Sequence, residues 1–110
     1  LCNESHGERK VRQYLENKKI EFIPQYRFKD CKDKDCLPFD FYIPSINVCI
    51  EFDGELHFRP IERFGGEKRF KTYKLHDEIK NTYCKQNSIK LIRIPYWEID
   101  NIEKLLNSQL

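Results

Sequence analysis

Two short apolar segments with a tight turn between them constrain the fold of this chain more than any other feature. The first segment covers residues 37–43, the second covers residues 48–53, and Pro44 opens the turn that joins them. Apolar runs of this length bounded by turn residues predict the two strands of a β-hairpin, and Gly54 ends the second strand. The sequence therefore predicts an antiparallel strand pair in this part of the chain.

The pattern of the remaining chain predicts three helices and two further strands. Ser5 and Glu8 form a capping-box sequence, in which each side chain satisfies a free amide at a helix start. The predicted elements are a helix at 6–18, a strand at 21–28, a charged loop at 29–35, the two hairpin strands, a helix at 67–86, a strand at 89–94 and a helix at 98–106. The apolar positions of the long helix are Phe70, Tyr73, Leu75, Ile79, Tyr83 and Cys84. This α-β-β-β-α-β-α order predicts an α/β fold of the α+β kind, a mixed four-stranded sheet flanked by helices.

Length and composition bound the kind of protein. The 110 residues suit one domain, 1–110, with a single core. The chain begins at Leu1 and contains no methionine, so we expect the C-terminal part of a longer protein. Without an apolar run of membrane-span length or a signal peptide, we expect a soluble, cytoplasmic protein with no membrane partner. The formal charge of +2 gives little indication of a nucleic-acid partner by itself.

The five cysteines favour reduced thiols, because a secreted disulfide framework would normally pair an even number. Cys49 and Cys84 lie in apolar patterns and are interpreted as core thiols. Cys31 and Cys36 could form half of a zinc site, although no second Cys/His pair has matching spacing. Structural zinc is therefore the less favoured interpretation.

Acidic residues inside the hairpin strands indicate a metal site. Asp40 lies in the middle of the first strand, and alternation places Glu51 and Asp53 on one face of the second strand, together with Cys49. Acids this close on adjacent strands repel one another unless a cation or a proton lies between them. We therefore predict that Asp40, Glu51 and Asp53 bind Mg²⁺ or Mn²⁺, with solvated acids on an open sheet face as the alternative.

Several segments resemble one nuclease family when taken in order. Leu37-Pro-Phe-Asp-Phe41 looks like the "PD" signature strand, and Ile50-Glu-Phe-Asp-Gly-Glu-Leu-His57 resembles an E-x-D-G-x-x-H segment. Asp77-Glu-Ile-Lys80, followed by residues 87–94, matches the helix-to-strand ending of that family. With Glu8, these segments resemble the PD-(D/E)XK nucleases of the very-short-patch-repair-like and EDxHD homing endonuclease group. The likeness spans nearly the whole chain.

The resemblance implies a role for each matched residue. It makes Asp40 a metal ligand, has the strand of Glu51 and Asp53 complete the metal site, and has His57 and Asp77 transfer a proton or position water. Asp53 occupies the place of the usual lysine, so His57 could act as the base instead. Lys80, one turn after Asp77, could supply the missing positive charge. Glu8 completes the catalytic set.

The activity that the resemblance implies is Mg²⁺-dependent hydrolysis of double-stranded DNA by a restriction-endonuclease-like core. The chain would be the catalytic domain of a homing endonuclease, phage-encoded and acting in a bacterial host cell. Cleavage of both strands would call for a homodimer, and sequence specificity would come from another part of the longer protein. Basic residues that could follow the DNA backbone are Arg59, Arg63, Lys68, Arg69, Lys71 and Lys74.

Each assignment has a simpler alternative. Glu8 could serve only the capping box, Asp77 and Lys80 could form a solvated helix pair, and His57 could be a packing histidine. The basic residues could be a solvated face. At the level of function, the alternatives are a catalytically inactive nuclease-like DNA-binding module and a metal-stabilised interaction domain.

Overall fold

The structure is a computed structural model that describes residues 4–110 as an α+β fold. Its helices are α1 (His6–Asn17), α2 (Gly66–Gln86) and α3 (Ile102–Gln109), and its strands are β1 (Ile23–Lys32), β2 (Cys36–Ile43), β3 (Val48–Asp53) and β4 (Lys90–Pro95). Short 3₁₀ helices lie at Glu55–His57, Glu62–Phe64 and Tyr96–Asn101. The predicted mixed four-stranded sheet with flanking helices is confirmed. Within this range, none of the helices has the length and apolarity that a bilayer span requires.

The sheet has the order β1-β2-β3-β4. The pairs β1/β2 and β2/β3 are antiparallel, whereas β3 and β4 are parallel because the long helix α2 carries the chain back between them. The register places Arg93 of β4 beside Glu51 of β3. The carboxyl ends of β3 and β4 therefore lie together, next to the segment that follows Asp53.

Each face of the sheet packs against helices. Helices α1 and α3 cover one face, where the buried side chains include Val11, Leu15, Ile50 and Leu106. Helix α2 covers the other face, where Cys84 packs with strand residues. Burying one such aliphatic side chain stabilises the fold by about 1.5–3 kcal/mol, so these two layers hold the strands in a fixed register.

The start of α1 follows the predicted capping box. The Ser5 hydroxyl accepts from the Glu8 amide at 3.1 Å, and a Glu8 carboxylate oxygen accepts from the Ser5 amide at 2.9 Å. A Cβ atom on Gly7 would lie 2.2 Å from the ring of Phe52, so any larger residue at this position would force that ring to move. This close approach brings the first turn of α1, with Glu8, to the open end of the hairpin.

Two predicted boundaries are wrong. Strand β1 begins at Ile23 and continues to Lys32, so the predicted loop at 29–35 shrinks to residues 33–35. A shift of register between Arg27 and Lys32 lets Cys31 turn into the core while charged neighbours stay exposed. Helix α3 begins at Ile102 rather than residue 98, because a 3₁₀ segment takes up the first residues.

One side-chain prediction also needs correction, and the less favoured zinc interpretation gains no support. Leu75, predicted as an apolar position of α2, is 47% exposed, because the helix packs on the sheet through a face that contains Ile79 and Cys84. Cys31 is fully buried in the α2-side core, and no metal-type cluster among residues 4–110 includes it or Cys36. Burial also raises the pKa of the Cys31 thiol to about 11, as is typical of a thiol packed in a core.

Candidate active site

The ladder between β2 and β3 opens at Asp40. Main-chain pairing runs from the turn only as far as Phe41 and Ile50. Beyond that pair, the Glu51 carboxylate accepts from the Asp40 amide at 2.6 Å, and the Asp40 carboxylate accepts from the Phe52 amide at 2.8 Å. Each side chain thus takes over a bond to the opposite strand. The exchange holds both carboxyl groups at the point where the strands separate.

A buried lysine from α2 pairs with Glu51. The Lys80 ammonium donates to the second Glu51 oxygen at 2.8 Å and lies 5.3 Å from the centre of the Phe39 ring. Lys80 and Glu51 are only 9% and 3% exposed. Asp77, one turn earlier, has different partners, so the alternative of a solvated Asp77–Lys80 pair is wrong.

Glu8 and Asp40 face each other beside this ion pair. Burial, the negative charge of Glu51 and a hydrogen bond to Glu8 raise the pKa of the Asp40 carboxyl to about 9. Glu8 has two contacts: one with the Asp40 carboxyl group, and one with the Ser5 amide, from which it accepts in the capping box. We call Glu8, Asp40, Glu51 and Lys80 the Asp40 cluster. It contains three carboxyl groups and one ammonium.

A second cluster lies around His57, in the 3₁₀ turn that follows β3. The Nδ1 atom of His57 lies 3.0 and 3.1 Å from the two oxygens of Asp77 and 3.6 Å from Asp53. A carboxylate can only accept, so Nδ1 carries the proton and Nε2 remains available for another partner. Burial opposes protonation of His57, but the hydrogen bond with Asp77 and the charge of Asp53 outweigh it and raise its pKa.

Arg93 completes this second cluster, and the sequence analysis did not select it. Its Nη1 donates to both Asp53 oxygens at 3.0 and 3.1 Å, its Nη2 donates to the Asp77 carbonyl at 3.3 Å, and its Nε donates to Asn81 at 2.9 Å. Burial still raises the pKa of Asp53, although Arg93 and His57 lower it. We call Asp53, His57, Asp77 and Arg93 the His57 cluster. The sequence contained one signal for Arg93: it is a charged residue within a largely apolar strand that was expected to run parallel to β3.

The structure divides the predicted metal ligands between the two clusters. Asp40 and Glu51 belong to the Asp40 cluster, whereas Asp53 contacts Arg93 and lies near His57. One donor atom each from Asp53, His57 and Asp77 lies within 4.8 Å of the others, so this second set could also hold a metal ion. The seven residues predicted for the site thus form two adjacent groups rather than one.

Three surface features surround the clusters. A cavity of about 660 Å³ opens beside Glu8 and Asp40. A groove of about 500 Å³ on the exposed side of α2 is lined by side chains that include Lys68, Arg69 and Tyr73. A patch of aromatic rings follows the strand ends, where the Trp97 ring lies tilted against Phe58 and edge-on to Tyr96, at 4.8 and 5.3 Å between ring centres. Phe58 and Trp97 are 42% and 59% exposed.

Comparison with known proteins gives one similarity. No protein-family model and no solved structure matches the chain. A 61-residue stretch is 33% identical to "Uncharacterized protein 307L" of Invertebrate iridescent virus 6. The stretch covers 54% of this chain and 31% of the viral protein, so the chain matches about a third of that relative's length. The relative's name describes no activity.

Proposed function

We propose that the chain is the catalytic domain of a metal-dependent endonuclease that hydrolyses phosphodiester bonds in double-stranded DNA. The observation that carries this proposal is the opening of the hairpin at Asp40, where its carboxylate and that of Glu51 meet beside the Lys80 ammonium. Hydrolysis of a phosphodiester needs charge stabilisation on the phosphoryl oxygens and an activated water. The element order and the β1-β2-β3-β4 sheet support a restriction-endonuclease-like core of the PD-(D/E)XK type.

The donor chemistry of the Asp40 cluster fits a hard divalent cation. Its ligands are carboxylate oxygens, which Mg²⁺ and Mn²⁺ prefer, and its carboxyl groups outnumber its single ammonium. Burial is the main cause of the raised pKa of Asp40, and the negative charge of Glu51 adds to it, so a cation bound here would favour the ionised carboxylate. Asp40 and Glu51 would hold the ion with Glu8 beside them, and the ion would supply Lewis-acid stabilisation and a water of lowered pKa.

The chain's own residues would accept the proton from water and orient the carboxylate of Glu51. His57, held through Nδ1 by Asp77, offers Nε2 as the atom that accepts a proton from water. Asp53 stands where the family pattern has lysine, and Lys80 brings an ammonium to Glu51 from α2 instead. Lys80 would thus fix the Glu51 carboxylate and offset negative charge at the phosphate.

The surroundings of the clusters support DNA as the substrate. All six predicted basic side chains on the loop and α2 are exposed: Arg59, Arg63, Lys68, Arg69, Lys71 and Lys74. Phosphate contacts of this kind give affinity that falls steeply with salt and carry no sequence information. The exposed rings of Phe58 and Trp97, next to His57, offer apolar faces on which a base can stack. Contacts to phosphates alone would give cleavage with little sequence preference.

Nicking of supercoiled plasmid tests this proposal. Cleavage should require Mg²⁺ or Mn²⁺ and stop in EDTA. Asp40→Asn keeps an oxygen that can accept from the Phe52 amide but removes the charge, so the rate should fall by roughly 10³-fold. Asp100→Asn, at a side chain 93% exposed, is the matched control and should cut normally. An Asp40→Asn protein that cuts at the wild-type rate would contradict the proposal. DNA binding without cleavage under every metal condition would favour the inactive DNA-binding module.

A further inference from the structure

The His57 cluster has the donors of a metal site but already contains a cation. Two carboxylates and an imidazole with donor atoms within 4.8 Å of one another are a set that binds ions such as Zn²⁺, Co²⁺ and Mn²⁺. The Arg93 guanidinium, however, contacts both oxygens of Asp53 and lies 3.5 Å from an Asp77 oxygen. The two acids that a metal ion would need therefore share one guanidinium.

Arg93 is fixed in this place by three elements of the fold. Each of its three guanidinium nitrogens donates to a partner, on β3 through Asp53 and on α2 through Asn81 and the Asp77 carbonyl. Its own strand, β4, is held parallel to β3 with Arg93 beside Glu51. A guanidinium stays charged at all working pH values, and its planar fork matches a carboxylate. The pairing of β4 with β3 therefore holds a positively charged group, the Arg93 guanidinium, beside Asp53 and Asp77.

The Asp40 cluster differs in this respect. Among residues 4–110, Asp40 has no basic side chain within ion-pair distance, and Lys80 contacts only one oxygen of Glu51. Oxygen ligands for a cation are thus left at Asp40 but not at Asp53.

We propose that Arg93 is the resident cation of the His57 cluster and takes the place that a second divalent ion would occupy, so that the chain binds one divalent ion rather than two. The existence of that one ion and its location at Asp40 rest on the proposed function. The inference that Arg93 keeps a metal ion away from Asp53, His57 and Asp77 does not depend on the proposed function. A further consequence is that removing the guanidinium converts Asp53, His57 and Asp77 into a metal site.

Titration with Co²⁺ tests this without any activity measurement, with calorimetry for the number of sites and visible absorption for imidazole ligation. The wild-type chain should bind one ion. Arg93→Gln should gain a second site, which binds Co²⁺ at least about tenfold more tightly than the wild-type chain binds any ion beyond its first. Arg93→Gln combined with Asp77→Asn should lose the gained site, and Arg93→Gln combined with Asp40→Asn should keep it. The last variant separates this inference from the proposed function, because it removes the ion that the function needs.

Folding is measured on the same samples by circular dichroism. If Arg93→Gln is unfolded without metal, added Co²⁺ should refold it, because the bound ion replaces the positive charge of the guanidinium. The double variant Arg93→Gln/Asp77→Asn lacks a ligand for that ion, so added Co²⁺ should not refold it. The inference is overturned if folded Arg93→Gln gains no site, or if the unfolded variant is not rescued by the metal. It is also overturned if Asp77→Asn alone removes a Co²⁺ site from the wild-type chain.

Discussion

The Asp40 cluster and the His57 cluster use similar side chains and reach opposite states of charge balance. In the Asp40 cluster, three carboxyl groups share one ammonium, and the pKa of Asp40 rises to about 9. In the His57 cluster, two carboxylates share a guanidinium and an imidazole. His57 and Arg93 outweigh burial at Asp77 and lower its pKa, whereas burial still raises the pKa of Asp53. The number of acids alone would not distinguish the clusters. They differ in the basic residue that a neighbouring element supplies, which is Lys80 of α2 in one and Arg93 of β4 in the other.

The difference suggests a division of work between adjacent groups. Under the proposed function, the cluster with more acids than bases would bind a cation from solution, and the other cluster would hold an imidazole in one orientation. The following predictions test that division, from the largest expected effect to the smallest.

His57→Ala should lower the rate of plasmid cleavage by roughly 10²–10⁴-fold, the usual contribution of a general base, while DNA binding stays nearly unchanged. His6→Ala, at an exposed histidine of α1, is the matched control. Single-turnover cleavage and thermal unfolding are measured on the same preparations. A stable His57→Ala protein with normal turnover would show that the imidazole only packs against Asp77 and Tyr73.

Lys80→Met should destabilise the fold by about 3–5 kcal/mol, because it leaves the Glu51 charge buried without its partner. Urea unfolding measures this, with Lys85→Met at an exposed position of the same helix as the control. Lys80→Met combined with Glu51→Gln should recover part of the loss, because the buried charge is then gone. Equal stability of Lys80→Met and Lys85→Met would mean that Glu51 does not depend on Lys80.

The sequence predicted the order of the elements and the face of β3 that carries Glu51 and Asp53. Period-two patterns and turn residues depend only on neighbouring residues, so they can be recognised without knowing the tertiary structure. The grouping of the acids was not predictable, because it depends on where the β2/β3 ladder opens. At that point Phe39 and Phe41 enter different cores, which strict alternation does not allow. Arg93 was missed for a similar reason, since its partners come from elements distant in the sequence.

The metal-free protein should lose stability as the pH rises. The pKa of Asp40 is raised to about 9 in the folded state from an ordinary value near 4, so its neutral form is the one that the fold favours. That contribution is complete below about pH 4 and disappears as the pH approaches 9, with a slope of at most about 1.4 kcal/mol per pH unit. Urea unfolding in EDTA at several pH values measures it.

Asp40→Asn should flatten this pH dependence, because the amide stays neutral and can still accept from the Phe52 amide. At pH 8 in EDTA the variant should therefore be more stable than the wild type, although the proposed function requires it to lose activity. Added Mg²⁺ should stabilise the wild type and leave the variant unchanged. The same pH slope in both proteins would show that another group is responsible.

The smallest effect separates the two contacts of Glu8. Ser5→Ala removes the capping hydroxyl and should cost about 1 kcal/mol of stability, with no change in Mn²⁺ affinity, because the hydroxyl contacts only the Glu8 amide. Glu8→Gln keeps an oxygen that can accept from the Ser5 amide, so its stability should change by only a few tenths of a kcal/mol. It removes a negative charge beside Asp40, however, and Mn²⁺ affinity should fall by about threefold to tenfold. Equal Mn²⁺ affinity in Glu8→Gln and wild type would confine Glu8 to the helix cap and reduce the Asp40 cluster to the carboxylates that the hairpin itself supplies.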